Sequence, residues 1–156
     1  MDKMGSTLLE AQEYDPRPER RRRTLLIVVI VIVLCAVVGV WKGPEWAARW
    51  HARGVVSDFF EALQHKDFEG AYGIWMGDPT WKQHPEKHAQ YGFNQFYNDW
   101  GPSGEWGVIN RFHVDGTAIP EGSSKTIVVQ VTVNDRRGDK AQIWLNRDDN
   151  TLTEMR

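Results

Sequence analysis

The chain of 156 residues holds a single cysteine, Cys35. That excludes an intramolecular disulfide and any zinc site built on thiolates. Positive charge is not in excess: nineteen Lys and Arg stand against twenty-one Asp and Glu, a formal charge of −2. Residues 42–156 carry thirteen basic and sixteen acidic side chains, whereas a nucleic-acid binder shows a basic face. No nucleic-acid partner is expected. There is no glycine-rich phosphate loop. Ser57, Ser103, Ser123 and Ser124 have no histidine beside them, so no nucleophile paired with a base is visible. Charge is missing altogether from one stretch, residues 25–41.

That stretch is what the sequence has in abundance. Leu25 to Trp41 is seventeen residues rich in Val, Ile and Leu. At about 1.5 Å per residue it spans roughly 25 Å, near the lower limit for the hydrocarbon core of a bilayer. It has no polar face, which a core helix of a water-soluble protein would show. A cleaved signal peptide has a shorter apolar region followed by small residues at the cut. Here the run ends in Val38-Gly39-Val40-Trp41-Lys42, and the lipoprotein reading of Cys35 meets a bulky Leu34 before it. Residues 24–41 are therefore read as a retained transmembrane helix whose partner is the lipid bilayer. Arg17 and Arg20, Arg21, Arg22 and Arg23 precede it; only Lys42, Arg49 and Arg53 follow within a similar distance. By the positive-inside rule the N-terminus stays in the cytoplasm and the rest lies outside. The expected location is the cell inner (plasma) membrane, single-pass, with Trp41, Trp46 and Trp50 near the outer interface. Residues 1–23 read as a flexible cytoplasmic tail and 42–51 as a membrane-proximal helical linker, with Gly54 as a bend.

Residues 52–156 read as one extracytoplasmic domain. Val56, Phe59, Phe60 and Leu63 fall at helical spacing against Ser57, Asp58, Glu61 and Gln64. Asp67 is placed to cap a second, shorter helix with Phe68, Ala71, Tyr72 and Trp75 inward. A third helix is expected from Pro85 to Gly101, with Ala89, Phe93, Phe96 and Trp100 as its stripe. The period then changes to two. Trp106, Val108, Phe112 and Val114 alternate, then Ile127 to Val133, then Ala141 to Leu145, and "TLTEMR" closes. "NDRRGDK" and "RDDN" carry turn residues. The expected fold class is α+β: a single transmembrane helix, then three helices packed on a curved antiparallel sheet of about four strands.

"VVSDFFEALQHKDFEGAYGIW" carries a resemblance. Phe59, Phe60, Ala62, Leu63, Lys66, Asp67, Ala71 and Tyr72 resemble the opening of the nuclear-transport-factor-2-like (cystatin-like α+β cone) superfamily. The resemblance covers about residues 52–156, including the helix-then-meander order. It implies a cone of helices on a curved sheet. It implies no single function, since members include isomerases, dehydratases, ligand-binding and assembly modules, and uncharacterised membrane-anchored bacterial domains. The anchored layout is similar to those last.

The chemistry-bearing residues are few. His84 and His88 are four apart, a spacing that holds zinc on a helix. The metalloprotease pattern needs Glu after the first His, and Pro85 stands there. Neither Glu86 nor Asp78, which lies across Pro79, is fixed by spacing as a third ligand. No metal and no cofactor are expected. An acid–base enzyme would need a carboxylate aimed into the cone; Asp99 and Asp115 alone lie close to apolar segments, and no catalytic residue is assigned. Tyr72, Trp75, Tyr91, Trp100 and Trp106 are candidates for lining a pocket, although a small domain also needs such side chains as core. Trp81, in the "DPTWK" loop, is read as exposed and able to contact a protein or fold over the cone mouth. The function expected is a non-enzymatic binding or assembly domain on a single-pass anchor, its partner another membrane or periplasmic protein. The alternative is a cone-fold isomerase or dehydratase acting on a small apolar substrate.

Overall fold

A computed structural model describes residues 17–154, except for the side chains of 17–20, 41 and 42. Helix α1 runs Arg17–Gln64, followed by α2 (Phe68–Trp75), two 3-10 turns (Trp81–Gln83 and Pro85–His88) and α3 (Phe93–Trp100). Strands β1 (Phe112–Ala118), β2 (Thr126–Val133), β3 (Lys140–Asn146) and β4 (Leu152–Glu154) complete the α+β order. The chain divides into two compact units between Gly43 and Pro44.

In the first unit, Arg21–Val40 is a 20-residue helical stretch of mean hydropathy 2.9 with none of it buried. Its large side chains from Leu25 to Val40 are 46–77% exposed. Length and composition suit a membrane span. The tail expected over 1–23 lies outside the described residues up to 16; Arg17–Arg23 belong to α1.

The second unit opens on the remainder of α1. Gly54 makes no break, and Pro44 lies inside the helix. Residues 44–51, expected as a linker, belong to this unit: Arg49 donates to the Thr117 carbonyl at 3.4 Å. Arg53 donates to Val114 and Gln64 to Asn110, so α1 runs antiparallel along β1. Ala52, Val56, Phe59, Phe60 and Leu63, on one face, are all buried. Phe60 stacks on Phe112 of β1 at 5.5 Å. Phe59 meets Trp75 and Trp100 at 5.2 and 5.0 Å, joining α1, α2 and α3 in one aromatic core.

The sheet is an open antiparallel meander in the order β1-β2-β3-β4. Ile127, Val129 and Val131 pair with Leu145, Ile143 and Ala141, and all six are buried, as the period of two requires. A bulge between Val114 and Gly116 leaves Asp115 as the extra residue of β1. Its carboxylate accepts from Thr132 Oγ1 at 2.7 Å and pairs with Lys140 at 3.4 Å. The Thr132 hydrogen bond, then Lys140, hold it below the usual carboxylate range against partial desolvation.

Two expectations are corrected. The third helix does not start at Pro85: Pro85–His88 is a 3-10 turn, and Gly92, extended at φ −75°, ψ 164°, resets the chain before Phe93. The first strand does not start at Trp106. Gly107 takes φ +63°, breaking the alternation, so Ile109 is buried and Val108 is 46% exposed. The segment is held instead by Asn134, whose side chain accepts from Asn110 N and donates to the Val108 carbonyl.

Candidate functional sites: an aromatic groove and a histidine–aspartate cluster

A cavity of about 620 Å³ lies between the C-terminal ends of α2 and α3 and strand β4. Trp75 and Trp100 end their helices, and both present edges to it while packing inward. Tyr91, Gln95 and Asp99 line another side, and Thr151 to Glu154 form the rim. The Tyr91 hydroxyl donates to Asp99 Oδ2 at 2.9 Å. Of the five aromatics expected to line a pocket, Trp75, Tyr91 and Trp100 line this one. Tyr72 does not: its buried ring lines a smaller cavity of about 220 Å³ with Trp81, His88 and Phe93, and burial raises the pKa of its hydroxyl. Trp106 does not line it either; it is buried, with its indole N–H on Glu154 Oε1 at 3.0 Å. Asp99 lines the groove, whereas Asp115 is committed to its strand contacts.

The segment between α2 and α3 builds a second cluster. Gly77 ends α2 at φ +62°, where a Cβ would lie 2.3 Å from the Asp149 carbonyl oxygen. Only glycine fits that conformation and approach together. Asp78 N then bonds to the Gly73 carbonyl, and a Cβ on Gly73 would already sit 3.3 Å from the Asp78 oxygen. Asp78 folds its carboxylate back on the next turn: Thr80 N and Oγ1 both donate to Oδ1 at 2.9 Å. Trp81 follows and is not the exposed residue expected. It stacks on Phe93 at 5.4 Å, meets Tyr72 edge-on and donates to the Glu69 carbonyl.

His84 stands between the two 3-10 turns at φ −148°, ψ 60°, outside the helical region that a following proline disfavours. That conformation swings its ring to Asp78: Nε2 lies 2.6 Å from Oδ2. His88 ends the Pro85–His88 turn, and its Nε2 lies 2.9 Å from the same oxygen. The three side chains are 13–22% exposed. The His88 hydrogen bond, Thr80 and nearby His84 together hold the Asp78 carboxyl far below the usual range, against its partial desolvation. The spacing of His84 and His88 did not point to this third member. It comes from the Gly77 turn and from Thr80, which aims the carboxylate.

Comparison with protein-family models, curated proteins and solved structures returned no match for the chain. The reading of function therefore rests on these two sites and the apolar helix.

Proposed function

We propose that this chain is a single-pass protein of the inner (plasma) membrane, held by residues 24–41 with its N-terminus in the cytoplasm. Its extracytoplasmic domain, of the nuclear-transport-factor-2-like cone kind, is a non-enzymatic binding or assembly module for another membrane or periplasmic protein. The observation that carries this is the exposed run from Leu25 to Val40. A helix apolar on every side and unburied by its own fold belongs in lipid. The five arginines before it favour the cytoplasm for its N-terminal end. For the binding role, the interior between helices and sheet is filled by Phe59, Phe60, Phe96 and Trp100, all 0–3% exposed. The open groove of Trp75, Tyr91 and Trp100 offers a concave surface for a partner.

A membrane pulldown with the intact anchor tests this. Cross-linking from the groove rim at Thr153 should capture a defined membrane or periplasmic protein. Replacing Tyr91 and Gln95 by Ala should abolish that product. Capture unaffected by these changes would remove the groove from the account.

One observation favours the enzyme reading: Asp99 faces the groove with a tyrosine hydroxyl on it, a base-plus-donor pair of the kind acid–base chemistry uses. On that reading Asp99→Asn abolishes turnover of a small apolar substrate while leaving folding intact.

A further inference from the structure

We propose that Asp78, His84 and His88 form a binding site for a divalent transition metal, zinc above all, on the segment between α2 and α3. Three potential ligand atoms, one from each residue, lie within 4.8 Å of one another. Both imidazoles direct Nε2 at one oxygen, Asp78 Oδ2, at 2.6 and 2.9 Å. A tetrahedral ion with bonds of about 2.0–2.2 Å sets its ligands about 3.3–3.6 Å apart. The pairs with Asp78 open slightly to reach that distance, and the two imidazoles close on each other. His84 lies between two short 3-10 turns and His88 ends the second, so neither is locked into a long helix, and modest side-chain rotations suffice.

The supports of a metal site are also present. Asp78 Oδ1 accepts twice from Thr80, which fixes the carboxylate and leaves Oδ2 as the ligand. Such outer contacts orient metal-bound carboxylates. The His88 ring lies edge-on to buried Tyr72 at 6.3 Å, which limits its rotation. Two nitrogens and one oxygen suit a borderline-soft ion such as zinc, whereas magnesium and calcium take oxygen sets. Three protein ligands with partial exposure leave the fourth position to water or to a residue of a partner.

The test uses the full chain in detergent, carrying no histidine tag, stripped with chelator and titrated with Zn²⁺. One equivalent should bind and raise the melting temperature, and Co²⁺ should give the intense visible bands of a four-coordinate ion. Asp78→Asn and His84→Gln should each weaken binding at least about a hundredfold, and Thr80→Val about 10- to 100-fold. His65→Gln, in the turn after α1 and outside the cluster, should leave it unchanged. The Co²⁺ spectrum of the unaltered chain decides the matter even where a variant fails to fold. Less than a tenth of an equivalent of zinc, a six-coordinate Co²⁺ spectrum, or binding equal in the unaltered chain and folded His84→Gln would overturn the proposal. The cluster would then be only an ion-paired turn.

Discussion

The hydroxyl of Tyr72 on α2 donates a 2.7 Å hydrogen bond to the backbone carbonyl of Tyr91. The same ring meets Trp81 at 4.8 Å, Phe93 at 5.6 Å and His88 at 6.3 Å. One buried side chain therefore holds the segment between α2 and α3 at three points: Trp81, His88 of the histidine–aspartate cluster, and Tyr91, a wall of the aromatic groove.

Tyr72→Phe keeps the ring and removes the donor. The Tyr91 carbonyl then loses this hydrogen bond, at a cost of about 0.5–1.5 kcal/mol. The pH dependence has a definite sign. Burial raises the Tyr72 pKa in the folded state, so the neutral hydroxyl is the form the fold holds. Its contribution is fully present below the unfolded value of about 10 and is lost as pH rises through the folded value. Urea midpoints at neutral and alkaline pH should show a lower neutral midpoint for Tyr72→Phe and a shallower alkaline decline. Identical midpoints for both proteins would remove Tyr72 from its assigned place.

Phe60 lies with 0% exposure between Phe112, Trp100 and Phe59. Phe60→Ala should cost about 3–5 kcal/mol through lost transfer energy and the cavity left behind. That is a large part of the roughly 5–15 kcal/mol that holds a domain together. Calorimetry should show the domain melting far below the unaltered protein or already unfolded. Unaltered melting would mean that the inward face of α1 is wrongly placed.

Gly77→Ala should destabilise for two separate reasons. The left-handed conformation alone costs about 1–2 kcal/mol for an alanine, and the new Cβ meets the Asp149 carbonyl oxygen at 2.3 Å. Gly138→Ala, with nothing within 4 Å of its Cβ, is the control and should melt close to the unaltered protein. Equal melting temperatures for the two variants would contradict the account of this turn.

The sequence carried most of the fold because two periods are strong in it. Phe59, Phe60 and Leu63 repeat on a helix face, and Ile127, Val129 and Val131 repeat on a strand face, so burial followed directly from spacing. The stripe from Ala89 to Trp100 misled because its spacing is blind to Gly92, whose extended backbone separates a 3-10 turn from a helix. Trp106 and Val108 misled because the left-handed Gly107 shifts the alternation by one. The groove was half legible: large aromatics announce either core or cavity, and spacing does not say that Trp75, Tyr91 and Trp100 share one groove while Tyr72 lines a smaller cavity and Trp106 packs on Glu154. Of the cluster, the histidine pair was legible from its spacing and Asp78 was not. This third member arrives through a turn set by Gly77 and a carboxylate aimed by Thr80, and neither follows from a helical repeat.

The central claim is that one uncut chain carries its domain outside the cytoplasm, and a single labelling experiment tests it most directly. Cys35 is replaced by Ala, and exposed Glu121 by Cys, in the full chain. Intact cells with a permeable outer envelope are treated with a membrane-impermeant maleimide, and the label is read on a denaturing gel. The account predicts labelling as complete in intact cells as after lysis, on a band of full-chain mass in the membrane fraction. Label that appears only after lysis would place the domain in the cytoplasm. A labelled band shortened by the apolar run would show that the run is removed rather than retained. Either result contradicts the account.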